Sequence, residues 1–144
     1  MRTFFFLIVL LPVWASSFGQ KQGIQGQVFW LSGNQMPGPE KAPDSPQQGI
    51  TREIYIYNAV ALPSAQRQDV FFQNVDAVLV TKIMTNADGS FKVKLPPGKY
   101  SLFTKEEKGL FANLFDTNGC VNCVTVRPRK YSWITITVDY EAVY

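Results

Sequence analysis

Two cysteines that are separated by two residues carry the most reactive side chains of this sequence. The chain of 144 residues has no other cysteine and no histidine. A C-x-x-C pair can form a disulfide, exchange thiols or bind a metal, depending on its surroundings. Cys120 and Cys123 follow a turn and enter a β-rich segment, whereas a thioredoxin-type site needs a helix N-terminus. We expect a local disulfide, with thiol exchange, copper(I) binding and free thiols as alternatives.

The absence of histidine excludes several classes of enzyme and metal site. Ser-His-Asp and Cys-His catalysis and the usual His-containing zinc sites all require this residue. Asp88 and Asp116 lie beside Asn and Gly, where turn formation is favoured over acid–base catalysis or calcium binding. We therefore expect no catalytic residues, no metal and no cofactor.

Aromatic residues, 14% of the chain, alternate with aliphatic ones in two predicted strands. In residues 131–138 the aliphatic side chains should point inward, which leaves Tyr131 and Trp133 outside. In residues 54–57 the same parity leaves Tyr55 and Tyr57 outside. If both strands belong to one sheet, the four rings form a platform for a sugar, a peptide or a partner protein. The alternative is that the rings only cover the sheet beneath a loop.

The elements that position these residues are β-strands, because no segment sustains helical periodicity. The predicted strands are 24–30, 52–60, 77–85, 90–95, 99–104, 123–127 and 131–140, with a short segment at 110–115. Seven or so strands at this spacing indicate a single all-β domain, a β-sandwich. The turns at 86–89 and 96–98 should each link their flanking strands as a hairpin, and Phe91, Val93 and Leu95 should face the core.

The first strand and its loop have distinct compositions. Ile24, Val28 and Trp30 should share one face, and Gly26 between them permits close approach of a neighbouring strand. Residues 32–51 are rich in proline and glycine, which predicts a surface loop.

The N-terminus has the pattern of a signal peptide. Arg2 precedes an apolar run over residues 4–13 that is too short to span a bilayer, and small residues follow. We expect residues 1–19 to be removed and residues 20–144 to be exported, to the periplasm, the cell surface or the medium. No later segment is apolar enough to span a membrane, and the net charge of +3 is too slight to indicate nucleic acid.

Two blocks of the sequence also resemble a known family. Residues 85–102, TNADGSFKVKLPPGKYSL, are similar to the pattern T-x-x-D-G-x-F-x-[LV]-x-L-P-x-G-x-Y-x-L of the carboxypeptidase regulatory-like domain. Residues 24–28, IQGQV, are similar to its opening strand, I-x-G-x-V. The resemblance implies a seven-stranded, prealbumin-like (transthyretin-like, Ig-like) β-sandwich of the kind common in exported Bacteroidetes proteins. It carries over no catalytic residues. The family turn after the first strand is present only loosely, at residues 33–38.

Taken together, these features predict an exported, non-enzymatic binding or assembly module of the cell envelope. It would engage an envelope glycan or protein through the aromatic face and the loops. The alternative is a small redox or metal-handling envelope protein that uses Cys120 and Cys123.

Overall fold

The computed structural model describes residues 21–36, 38 and 47–144. The predicted signal peptide, residues 1–19, and most of the proline-rich part of the predicted loop, residues 37 and 39–46, lie outside this range. Within it, a short 3-10 turn spans Leu62–Ser64, and eleven strands are formed. The strands are β1 Gly23–Asn34, β2 Gln48–Gly49, β3 Glu53–Asn58, β4 Ala65–Gln68, β5 Phe71–Val75, β6 Leu79–Met84, β7 Ser90–Lys94, β8 Gly98–Glu106, β9 Gly109–Phe111, β10 Cys123–Val126 and β11 Tyr131–Val143.

The strands form two sheets, so the predicted all-β sandwich is confirmed. In the small sheet, β1 lies between β11 on one side and β7 and β2 on the other. The large sheet has the order β4-β5-β9-β8-β3-β6, with β10 paired to β8 beside β9. In the described part of the chain no helix is long and apolar enough to cross a membrane.

All seven predicted strands are present, but the predicted number of strands is too low. The structure adds β2, β4, β5 and β9, of which β9 coincides with the short predicted segment at 110–115. The predicted loop 32–51 is also partly strand, because β1 continues to Asn34 and β2 pairs with it at Phe29 and Trp30. Short strands whose residues lack strict alternation give little periodic signal, which is why these were missed.

The main core lies between the two sheets and follows the predicted alternation. Ile24 and Val28 are fully buried, and Trp30 packs against the same cluster from its edge. Phe91 and Leu95 are buried and Val93 is partly buried, as expected. The other buried members of this cluster are Ile54, Ile56, Phe71, Tyr100, Leu102, Phe111, Val124, Val126, Ile134, Ile136 and Val138.

Parallel pairing of β1 with β11 joins the two ends of the described chain. Gly26 is opposite Ile134 on one side and opposite Phe91 of β7 on the other. A Cβ atom at Gly26 would overlap the backbone carbonyl oxygen of Ile134 and come within 3.1 Å of the Phe91 ring. The close approach predicted for Gly26 is therefore confirmed, and its partner is the last strand.

The two predicted hairpins are wrong, although both turns exist. At the first turn the Gly89 N–H donates to the Asn86 carbonyl, and Gly89 has a φ of 81°. The strand before it, β6, pairs with β3 in the large sheet, whereas β7 pairs with β1 in the small sheet. The turn at 96–98 returns the chain to the large sheet at β8. Turn chemistry reverses the chain but does not decide which strands pair, so here each turn crosses between layers.

A buried carboxylate connects the two sheets at one end of the sandwich. Glu106 is 5% exposed and receives the Arg52 Nε–H at 3.1 and 3.2 Å. The Tyr140 hydroxyl of β11 donates to the same carboxylate at 3.1 Å. Because a buried charge is tolerated only when it is paired and hydrogen-bonded, these three side chains act as one unit. Burial, followed by the Glu106 charge and hydrogen bond, raises the pKa of Tyr140 to about 12.

Replacing Gly26 with alanine should destabilise the protein strongly. The added methyl group meets backbone on β11, which cannot move aside as a side chain can, so we expect a loss of about 3 kcal/mol of unfolding free energy or failure to fold. Urea denaturation measures this loss. Gly98→Ala is the matched control, since its Cβ would meet only ordinary contacts at 3.4 Å or more. Equal stability of the two variants would refute the close β1–β11 contact.

Replacing Tyr140 with phenylalanine should change the alkaline stability of the protein. The tyrosine of the unfolded chain ionises near its ordinary pKa of about 10, whereas folded Tyr140 stays protonated to about pH 12. Its stabilising contribution is therefore complete below pH 10 and is lost as the pH rises to 12. Urea unfolding at pH 8, 10 and 11.5 should show that the free energy of unfolding of the wild type exceeds that of Tyr140→Phe, by a difference that decreases as the pH rises. A difference that stays constant over these three pH values would contradict the prediction.

Candidate functional site

The most exposed indole of the described chain lies on the outer face of the small sheet. Trp133 is 61% exposed, and its Nε1–H donates to Thr135 Oγ1 at 3.1 Å on the same face. This hydrogen bond between positions i and i+2 of β11 fixes the ring against the sheet without burying it. The indole therefore presents a large, partly apolar surface to solvent.

Strand register builds the surroundings of this ring. Gln25 of β1 is opposite Trp133 on one side and opposite Lys92 of β7 on the other, so the three side chains form one row across the sheet. We call this surface the Trp133 face. It comprises Gln25, Gln27, Lys92, Tyr131, Trp133 and Thr135.

A second aromatic ring of the Trp133 face lies one row away. Tyr131 is opposite Gly23, which has no side chain to separate the ring from β7. The Lys92 Nζ consequently reaches to 4.2 Å from the centre of the Tyr131 ring, a cation–π contact. The face thus combines two aromatic rings with amide, hydroxyl and ammonium groups, which suits a ligand that both stacks and hydrogen-bonds.

Tyr55 and Tyr57 lie elsewhere, so the four-ring platform does not form. They belong to β3 of the large sheet, whereas Tyr131 and Trp133 belong to β11 of the small sheet. Each pair faces outward from its own layer, as the parity predicts, but the two pairs lie on opposite sides of the sandwich. The condition that both strands share one sheet is not met.

Tyr55 and Tyr57 instead pack against a second hydrophobic cluster on the outer face of the large sheet. The Tyr57 ring meets the fully buried Phe103 edge-on, with centroids 5.7 Å apart. Burial, and then the nearby Tyr55, raises the pKa of Tyr57. The other buried members of this cluster are Val60, Phe72, Leu110, Ala112 and Val121. The two tyrosines therefore help to cover the outer face of the large sheet. That the proline-rich loop lies over the rings stays a prediction, because residues 37 and 39–46 lie outside the described range.

A cleft of about 420 Å³ opens beside Trp133, between the free edges of β10 and β11. Its rim carries two exposed apolar side chains, Leu114 at 51% and Phe115 at 41%. The Ser132 hydroxyl of β11 donates to the Thr125 carbonyl of β10, which holds the two sheets together at this seam. The cleft can accept an apolar group next to the indole.

Cys123 lies at one wall of this cleft, at disulfide distance from Cys120. Their Cα atoms are 5.7 Å apart, Cys120 is buried, and Cys123 is partly exposed and lines the cleft. Ser101 Oγ lies 3.2 Å from Cys123 Sγ, and the Cys120 N–H donates to Asp116. Neither a hydroxyl nor a carboxylate stabilises a thiolate as a cation or a helix N-terminus does, so these contacts suit a structural disulfide.

Asp88 and Asp116 organise turns, in agreement with the sequence. Asp88 accepts from the hydroxyl and N–H of Ser90, which lower its pKa in that order. Asp116 pairs with Lys99 at 2.8 Å and accepts from the Cys120 N–H, and these partners lower its pKa. Among the described residues, no group of three or more His, Cys, Asp or Glu residues is placed to hold a metal.

Sequence reasoning missed five residues of this region: Gln25, Gln27, Lys92, Leu114 and Phe115. Alternation implies outward positions for Gln25 and Lys92, but only the register reveals that they share a row with Trp133. Leu114 and Phe115 fall in a segment without a regular pattern, so nothing in the sequence distinguishes their exposure from burial.

Removing the disulfide should lower stability while leaving the Trp133 face intact. A crosslink between residues three apart closes a very short loop, so we expect Cys120→Ser/Cys123→Ser to lose about 2 kcal/mol of unfolding free energy. Urea denaturation of the double variant and of the wild type without reductant measures this loss, and the reduced wild type should be about as stable as the double variant. If the wild type has the same free energy of unfolding with and without reductant, the two cysteines are not crosslinked.

Comparison with known proteins adds no assignment: no protein-family model, no curated protein and no solved structure matches this chain.

Proposed function

We propose that this protein is an exported, non-enzymatic binding or assembly module of the cell envelope whose ligand, a glycan or a protein, stacks on Trp133. The observation that carries this proposal is the 61% exposure of an indole that is oriented by its own hydrogen bond to Thr135. Solvating a large apolar ring in a fixed orientation lowers stability without a structural gain. Binding surfaces often contain such a residue.

The chemistry of the Trp133 face favours a glycan. Sugar rings present C–H faces that stack on flat aromatic side chains and hydroxyl groups that need hydrogen-bond partners. Tyr131 and Trp133 supply the rings for stacking. The hydrogen-bonding groups on the same sheet are the side chains of Gln25 and Thr135 and the side-chain oxygen of Gln27, whose amide N–H donates to the Asp88 carbonyl. Because strands hold all these side chains, the surface needs little ordering when a ligand binds.

A protein ligand has its own support in the cleft. Leu114 and Phe115 expose apolar surface next to Trp133, and contiguous exposed apolar groups are typical of protein contacts. A partner side chain that enters the cleft would also contact the indole.

Export and family membership complete the proposal. The basic and apolar pattern of residues 1–19 supports removal of a signal peptide, and a disulfide is typical of an oxidising compartment. The motif at residues 85–102 supports a relationship to the carboxypeptidase regulatory-like domains, which serve as accessory or binding modules. The two-layer β-sandwich is compatible with that relationship.

A redox function of Cys120 and Cys123 is the second candidate. One observation favours it: Cys123, unlike Cys120, is partly exposed in the cleft, where the thiolate of another molecule could reach its sulfur. Exchange there would form a mixed disulfide at Cys123 and release Cys120 as a thiolate.

Substitution of Trp133 should abolish ligand capture. We would immobilise residues 20–144 as wild type, Trp133→Ala and Met84→Ala, and expose each to an envelope extract of the producing cell. Met84 is the matched control, since it is 62% exposed but lies on β6 of the large sheet. We expect a ligand that the wild type and Met84→Ala retain and Trp133→Ala loses. The captured material is then identified as carbohydrate or protein.

Identical capture by all three proteins would refute the proposal. Cys120→Ser/Cys123→Ser distinguishes the second candidate, because a redox function requires that this variant lose its partner and that Trp133→Ala keep it. Circular dichroism of each variant verifies that it is folded.

A further inference from the structure

Folding gathers seven cationic side chains at one end of the sandwich. All seven are exposed. We call this group the basic end: Lys21, Lys92, Lys94, Lys99, Arg127, Arg129 and Lys130.

The strand register and two hydrogen bonds bring these residues together from distant parts of the sequence. Gly23 of β1 is opposite Lys94 on one side and Tyr131 on the other, and its N–H donates to the Lys130 carbonyl at 3.2 Å. The Arg129 N–H donates to the Gln22 side chain. In the large sheet, Lys99 at the start of β8 is opposite Thr125 near the end of β10, two residues before Arg127.

Little of this positive charge is neutralised. Of the salt bridges between described residues, one involves the basic end, that of Lys99 with Asp116. The Lys92 ammonium lies over the Tyr131 ring, a contact that leaves its charge available. Seven like charges at one end repel one another, which lowers the stability of the fold. The clustering of these cations therefore requires an explanation other than stability.

The basic end is continuous with the Trp133 face. Lys92 belongs to both, Lys130 directly precedes Tyr131, and Lys94 lies in the row of Tyr131. A ligand that stacks on Trp133 and extends along the sheet toward the start of β11 must pass these cations.

We infer that the ligand is an acidic polysaccharide, whose sugar rings stack on Trp133 and Tyr131 while its anionic groups contact the basic end. This inference rests on the proposed function and chooses among its ligands by charge complementarity. A polymer with one carboxylate, sulfate or phosphate per one or two sugars carries anions along its whole length, so it can stack on Trp133 and still present several anions to the basic end. The amide and hydroxyl groups of Gln25, Gln27 and Thr135 serve the uncharged hydroxyls.

Other polyanions fit this surface less well. A lipid bilayer would bury apolar side chains that lie among the cations, whereas the exposed Leu114 and Phe115 line the cleft at the free edge of β11 and Lys92 and Lys94 lie on β7, on the other side of β1. Duplex DNA carries one phosphate charge per about 1.7 Å of helix axis, a denser array of anions than one per one or two sugars, and it buries its bases inside the duplex, away from Trp133.

Polygalacturonate and its fully methyl-esterified form are a matched pair of probes, since they share a backbone and differ in charge. We expect residues 20–144 at 150 mM NaCl to bind the acidic polymer at least tenfold more tightly than the ester, by isothermal titration calorimetry. Lys94→Gln/Arg127→Gln/Lys130→Gln should weaken this binding at least tenfold. Arg67→Gln/Lys105→Gln/Lys108→Gln removes the same charge from exposed positions on other elements and should change affinity less than twofold.

The outcomes separate this inference from the proposed function. If both polymers bind equally and only Trp133→Ala loses this binding, the inference of an acidic ligand is wrong, whereas the proposed binding function of the Trp133 face is supported. Loss with the basic-end variant but not with Trp133→Ala would refute the stacking on which the proposed function rests. If neither polymer binds, or if phosphatidylglycerol vesicles or duplex DNA bind as tightly as polygalacturonate, the inference of an acidic polysaccharide is wrong.

Discussion

The parallel pairing of β1 with β11 is the constraint on which the rest of the structure depends. It requires a residue without a side chain at Gly26, where the Ile134 carbonyl occupies the space of a Cβ atom. Once this contact forms, β1 is central in the small sheet and its register with β7 follows on the other side. The row from Lys92 through Gln25 to Trp133 is a direct result, so the geometry of the candidate site is set by backbone packing at the adjacent pair, Gly26 and Ile134.

The same pairing leaves β11 at an edge of its sheet, next to the edge strand β10 of the other layer. Exposed strand edges tend to pair with other chains unless something blocks them. Here the Ser132 hydroxyl binds the Thr125 carbonyl across the seam, and the Asn113 amide donates to the Thr137 carbonyl farther along. Between these two closures the edges stay apart, and the space between them is the cleft.

Alternation in the sequence was sufficient to predict which side chains point inward, but not which strands are neighbours. Tyr55 and Tyr131 both obey the predicted parity, yet they lie on opposite layers because period-2 patterning is the same for every strand. The turn at Gly89 likewise has the expected chemistry and still joins two sheets. The cations of residues 127–130 are adjacent in the sequence, whereas their proximity to Lys94 depends on the β1 register and could not be predicted.

The two ends of the molecule differ in how their charged side chains are paired, and this difference bears on function. Glu106, a buried carboxylate, accepts hydrogen bonds from both Arg52 and Tyr140, which compensate for its loss of solvation. The basic end has seven exposed cations and, among the described residues, one salt bridge, that of Lys99 with Asp116. The pairing of Glu106 favours stability, whereas the cations of the basic end and the exposed indole of Trp133 do not. Features that lower stability are expected where a surface binds a ligand. Because the basic end and the Trp133 face are contiguous, a single extended ligand accounts for both.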